Sequence, residues 1–128
     1  MRKALVRLAA VLAVAALGLV GTAGPAQAVG TVSTTAYHFT DVTGRPSVIL
    51  AGGTSGWPQG TIQVSSQLVY PNGGATVPAT TTCHHATSCA APSIVRSAPY
   101  HPVGWYTYRV VATGPDGTAE GTRRLWLG

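Results

Sequence analysis

From Gly104 to Leu127 apolar and polar side chains alternate with a period of two. Tyr106, Tyr108, Val110 and Ala112 fall on one face of an extended strand. Trp105, Thr107, Arg109 and Val111 fall on the other. Successive side chains of a strand point to opposite faces, so the first row faces a core and the second faces outward. Gly114-Pro115-Asp116-Gly117 then turns the chain, proline presetting one dihedral and glycine accepting a positive one. Thr118 to Leu127 returns as the partner strand. Gly121 reads as a bulge that rephases this strand and lets Leu125 and Leu127 point inward.

The same reading carries along the rest of the chain. Thr61 to Tyr70 is a strand with Ile62, Val64, Leu68 and Tyr70 on one face, interrupted by Ser66. Pro71-Asn72-Gly73-Gly74 is a turn, and Ala75 to Thr82 returns from it. Val32 to Phe39 has two mixed rows, as an edge strand does. Pro46 to Ala51 is a short strand, Gly52 to Gly60 a loop, Cys83 to Pro92 a second loop, and Ser93 to Ser97 a short strand. About seven strands with turns between them, and no helical period after residue 28, predict an all-β antiparallel sandwich.

The segment Gly104-Trp105-Tyr106-Thr107-Tyr108 resembles the penultimate strand of immunoglobulin-like and fibronectin-type-III-like sandwiches, which often reads G-x-Y-x-C or G-x-Y-x-V. The resemblance covers about one hairpin. It implies that Tyr106 is a tyrosine-corner residue and that Tyr108 stands where antibody domains carry a cysteine. The chain has no cysteine in an early strand and no tryptophan in mid third strand, so the resemblance extends to the general immunoglobulin-like architecture rather than to antibody domains.

The N-terminus follows different rules. Arg2, Lys3 and Arg7 precede an apolar run from Leu8 to Val20, and Ala26-Gln27-Ala28 is a small-x-small cleavage site. This is the pattern of a secretory signal peptide over residues 1–28, leaving one domain over residues 29–128. A spanning helix needs roughly 20 apolar residues, so export without a membrane anchor is expected. Of the formal net charge of +5, three positive charges belong to Arg2, Lys3 and Arg7, leaving +2 for the domain. Its basic residues are Arg45, Arg96, Arg109, Arg123 and Arg124, which form no clustered stripe of the kind nucleic acid requires. Scarce lysine with abundant alanine, glycine and threonine fits a GC-rich bacterium, and the chain resembles the small immunoglobulin-like secreted proteins of actinomycetes.

Two cysteines remain, Cys83 and Cys89. An even count in an exported chain favours a disulfide, one that closes a short loop and contributes about 2 kcal/mol. With five residues between them, they are expected to staple a loop rather than join two sheets. His84 and His85 lie inside that loop. Cysteine and histidine also suit zinc or copper, but the disulfide consumes the thiolates, and no metal or cofactor is expected.

Catalysis has little to build on. The domain holds three carboxylates, Asp41, Asp116 and Glu120, and two of them sit in turns. Gly53-Thr54-Ser55-Gly56 is not a nucleophile elbow, and the Gly-Gly pair lacks the lysine and helix of a phosphate loop. The expected function is non-catalytic binding of an extracellular glycan or protein. The alternative is a secreted inhibitor that presents the Cys83–Cys89 loop to a partner enzyme. If each strand reverses direction, Trp57, His84, His85 and Asp116 share one end. That end is the expected contact surface, with Trp57 as its anchor or else folded back to cover the end of the core, and the two histidines tuning affinity near pH 6–7.

Overall fold

The computed structural model describes residues 30–128, and the expected signal segment lies outside them. Eight strands follow in order: β1 Thr31–Thr40, β2 Pro46–Ser55, β3 Gly60–Val69, β4 Ala79–Ala86, β5 Cys89–Ala90, β6 Ile94–Ser97, β7 Gly104–Gly114 and β8 Gly117–Leu127. There is no helix among the described residues. All pairing is antiparallel, in two four-stranded sheets. In the first, β2 has β1 on one side and both β5 and β6 on the other. In the second, the order is β4-β3-β7-β8.

The alternating rows become the core of this sandwich. Tyr106, Tyr108, Val110 and Ala112 of β7 are buried with Ile62, Val64 and Leu68 of β3, Val48 and Leu50 of β2, and Leu125 and Leu127 of β8. Each aliphatic or aromatic side chain so buried contributes about 1.5–3 kcal/mol. Ser66 occupies the inner row of β3 and is buried too. Its hydroxyl donates to the Pro92 carbonyl at 2.7 Å, which satisfies the one polar interruption in that row. The Tyr106 hydroxyl donates back to the Pro102 carbonyl at 2.5 Å and ties down the segment entering β7.

β1 lies at the edge of its sheet, as its mixed rows imply. Four other expectations are corrected. The β7–β8 register runs unbroken from Gly104↔Leu127 to Gly114↔Gly117, so Gly121 is not a bulge. A side chain there would press on Val32 of β1, a Cβ coming within 2.8 Å of its Cγ1. Gly121 thus permits close sheet packing. The inward phase of β8 simply continues through Arg123, which escapes the core at the sandwich edge and donates from Nε and Nη2 to the Thr34 carbonyl at 3.1 and 2.8 Å. That contact also occupies a carbonyl of the edge strand β1.

β2 runs on through Gly52 and Gly53 to Ser55 instead of ending at Ala51. Glycine there marks close backbone approach, not a loop: a Cβ on Gly52 would stand 2.7 Å from the Ser33 carbonyl oxygen. The return strand starts at Ala79, not Ala75. Pro78 lacks the N–H that a ladder needs, and only an isolated bridge, Val69↔Ala75, precedes it.

The last correction concerns the disulfide. Cys83 and Cys89 are bridged, with Cα atoms 5.9 Å apart. Cys83 belongs to β4 of one sheet and Cys89 to β5 of the other. The bridge therefore joins the two sheets at the edge where the chain crosses between them. Sequence spacing does not reveal that the chain changes sheets within five residues.

Candidate functional site

The reversal of strands does gather the expected connections at one end. The Trp57 amide donates to the Thr87 carbonyl at 3.2 Å. Gln59 Nε2 donates to the His85 carbonyl at 3.4 Å. A side chain on Gly60 would meet Pro115 of the β7–β8 turn. The Asp41 turn and Tyr100 occupy the opposite end. Asp41 accepts from the Thr43 and Arg45 amides and from the Thr43 hydroxyl, which together hold its carboxyl below the usual range, the hydroxyl foremost. Tyr100 is buried there, its hydroxyl donating to the Pro46 carbonyl.

Within the gathered end the four expected contact residues divide. His84, His85 and Asp116 are exposed. Trp57 is not: 3% of it is accessible. Its indole Nε1 donates to Thr54 Oγ1 at 2.6 Å, and Thr54 in turn donates to the Thr31 carbonyl at 2.8 Å. The ring lies against Gly30 and Gly114, where any Cβ would collide with it. Trp57 therefore closes the end of the core instead of projecting as an anchor. Isolated aromatic residues between glycines look the same in sequence whether they point out or fold back.

The histidines lie at an irregularity on the edge strand β4, most of which is exposed. β3 and β4 pair Gly60 with Ala86 and Ile62 with Cys83, so Thr61 alone faces His84 and His85. His85 takes a positive φ of 51° at this bulge. His84 Nδ1 stays 3.4 Å from the Thr61 hydroxyl. Among the described residues no cluster of three or more His, Cys, Asp or Glu side chains is arranged to hold a metal ion. An open depression of about 420 Å³ lies beside the disulfide, lined by Ser33, Gly53, Thr54, Ser88 and Ala90 among others. No titratable side chain lines it, so it offers no acid, base or charge to a ligand.

A second surface emerges at the other end of the β7–β8 hairpin. Trp105 and Trp126 are direct cross-strand partners, and each is 51% exposed. Their rings meet edge to face, with centroids 5.6 Å apart. In the next outward row Thr107 pairs with Arg124, whose guanidinium carbon lies 4.8 Å from the centre of the Trp105 ring. Beyond it Arg109 and Glu120 form a two-point ion pair, Nε to Oε2 at 2.7 Å and Nη2 to Oε1 at 3.3 Å. That pair holds the Glu120 carboxyl below its ordinary value, mainly through the hydrogen bond from Arg109. Alternation alone places Trp105 outward. Counting back from the turn would have set Trp126 and Arg124 beside it, but the unneeded bulge at Gly121 hid that register.

One consequence is a pH effect. Asp41 and Glu120 both titrate lower in the folded chain than unfolded, so each stabilises fully above the ordinary carboxylate range and less as pH falls through its folded value. The thermal midpoint is expected to be flat from neutral pH to about 5 and to fall below about 4. Glu120→Gln, followed by thermal scans, should flatten part of that acid limb. An unchanged limb in that variant would remove Glu120 from the explanation.

No protein-family model matches the chain, and no curated protein matches it. Among solved structures the chain is similar to the crystal structure of the β-glucuronidase of Parabacteroides merdae, with a TM-score of 0.52 at 14% identity. The likeness covers 75% of this chain and 13% of that one, so the chain spans a small fraction of the enzyme's length. At that identity the likeness is one of fold, an all-β sandwich of two antiparallel sheets.

Proposed function

We propose that this chain is a secreted bacterial domain of immunoglobulin-like type that binds an extracellular glycan or protein without catalysing a reaction. The observation that carries the reading is the half-exposed Trp105–Trp126 pair on the outer face of β7 and β8. Large aromatic side chains left on a rigid sheet supply contact area at low entropic cost. A binding role also fits the acids: Asp41 serves a turn, Glu120 is held by Arg109, and Asp116 sits alone at the β7–β8 turn.

The immunoglobulin-like assignment is supported by the third, penultimate and last long strands lying side by side, and by the Tyr106 hydroxyl bonding back to Pro102 four residues upstream. Secretion is supported by the N-terminal pattern and by a disulfide suited to an oxidising compartment. The inhibitor alternative is less favoured, because only Thr87 and Ser88 lie outside strands between the two cysteines, which leaves little loop to insert.

The test uses residues 29–128, passed over immobilised polysaccharides and extracellular proteins. Retention is expected, and Trp105→Ala/Trp126→Ala should abolish it while moving the thermal midpoint only a few degrees, as about 1 kcal/mol of cross-strand pairing predicts. Retention that survives this double change but is lost in His84→Ala/Asp116→Ala would move the contact to the other end.

A further inference from the structure

The face around the tryptophan pair has a chemistry of its own. Trp105 and Trp126 stand at one end of the hairpin, with Val103 exposed beside them. Toward the turn the outward positions become hydroxyls and amides, with Gln67, Arg109 and Thr122 in one row. Arg109 is neutralised by Glu120. Arg124 is not: among the described residues no carboxylate pairs with it, and its guanidinium rests on the Trp105 ring. Arg123 is turned away to the Thr34 carbonyl. Asp116 lies at the far end of an eleven-residue strand, about 30 Å off at the usual rise. The face thus carries one uncompensated positive charge, fixed beside two half-exposed rings.

The geometry points to an acidic polysaccharide as the ligand of this face, a chain of uronic-acid sugars. Arg124 takes a sugar carboxylate, and the Trp105–Trp126 pair takes the apolar C–H face of the same or the next ring. This rests on the binding reading above and names its ligand. Each part of the ligand has a counterpart. A guanidinium stacked on an indole keeps its N–H groups available at its edge, and those match a carboxylate in two-point fashion. Sugar hydroxyls find donors and acceptors in Gln67, Thr107, Thr122 and the Arg109–Glu120 pair. The two indoles are half exposed and no enclosed cavity lined by them is seen among the described residues, which suits a polymer lying across the face more than a small molecule needing enclosure. A protein partner fits less well. A stable interface covers about 800 Å² per side around an apolar centre, whereas here two indoles and Val103 are bordered at once by polar groups.

The experiment is affinity electrophoresis of residues 29–128 through gels containing polygalacturonate, alginate or a neutral β-glucan. Retardation is expected in the two polyuronates and not in the neutral gel. It should weaken in high salt, since the charge is exposed. Arg124→Gln should weaken polyuronate binding by about tenfold or more, the loss of one charge-assisted contact. Trp126→Ala should abolish it. Arg124→Lys should recover only part, because an ammonium lacks the two-point geometry. Equal retardation by the neutral gel, with loss in the tryptophan variants, would overturn the acidic ligand and leave the binding reading standing. Polyuronate binding unchanged by Arg124→Gln would overturn the role of Arg124. No retardation in any gel, with capture of an extracellular protein instead, would overturn the polysaccharide.

Discussion

Trp57→Ala is expected to lower the stability of the domain by about 3–5 kcal/mol. The indole is enclosed between Gly30 and Gly114, and its Nε1 proton is held by Thr54. Removing it opens a cavity at the end of the core and leaves the Thr54 hydroxyl with one partner fewer. The surroundings cannot collapse easily, because both glycines already approach as closely as their backbones allow. Domains of this size are stable by about 5–15 kcal/mol, so the variant should show a much lower urea midpoint or fail to fold. Trp57→Phe keeps most of the packing and loses the hydrogen bond, and should fall between. Trp105→Ala offers the control on the surface, where about 1 kcal/mol or less is at stake. A Trp57→Ala protein of unchanged midpoint would return Trp57 to the surface and restore it as a contact residue.

The second large effect belongs to the disulfide. Breaking Cys83–Cys89 releases a short closed loop, for which chain entropy predicts about 2 kcal/mol. In a domain of this length that is a fall of about 8–16 °C in the thermal midpoint. Cys83→Ala/Cys89→Ala measures it without placing a hydroxyl at buried Cys89. The fold should survive. The sheets remain held by the tyrosine and aliphatic rows of β3 and β7 packed with Val48 and Leu50 of β2 in one core, and the bridge lies at the edge where β4 passes to β5. A reduced protein unfolded at room temperature would mean that the crossing, and not the central rows, holds the sheets together.

The two variants separate the two ends of the molecule. Trp57 and the disulfide sit with His84, His85 and Asp116, an end built largely for closure. The Trp105–Trp126 pair stands at the opposite end of the β7–β8 hairpin. Stability should therefore respond to changes at the first end and binding to changes at the second.

The local elements were legible in the amino-acid sequence. Alternation in Gly104–Leu127 and Thr61–Tyr70 is a property of neighbouring residues, and it set the inner rows of β7 and β3 and the all-β class. The turn at Gly114–Gly117 followed from its proline and glycines. Even the grouping of three connections at one end followed from counting reversals. The fold was needed to show that Gly52 belongs to a strand and that Gly121 is no bulge, because both are required by groups far away in sequence: Ser33 for one and Val32 for the other. It alone decided that Cys83 and Cys89 belong to different sheets, since five residues serve equally for a loop or a crossing. It also decided that Trp57 is buried and that Trp126 is exposed, whereas alternation had already placed Trp105 outward. Trp57 lies in a connection and is buried because Gly30 and Gly114 leave room for a ring. Trp105 and Trp126 lie in strands and are exposed because they face away from the sheet opposite. Burial is set by what packs against a residue, and that partner is seldom a neighbour in the chain.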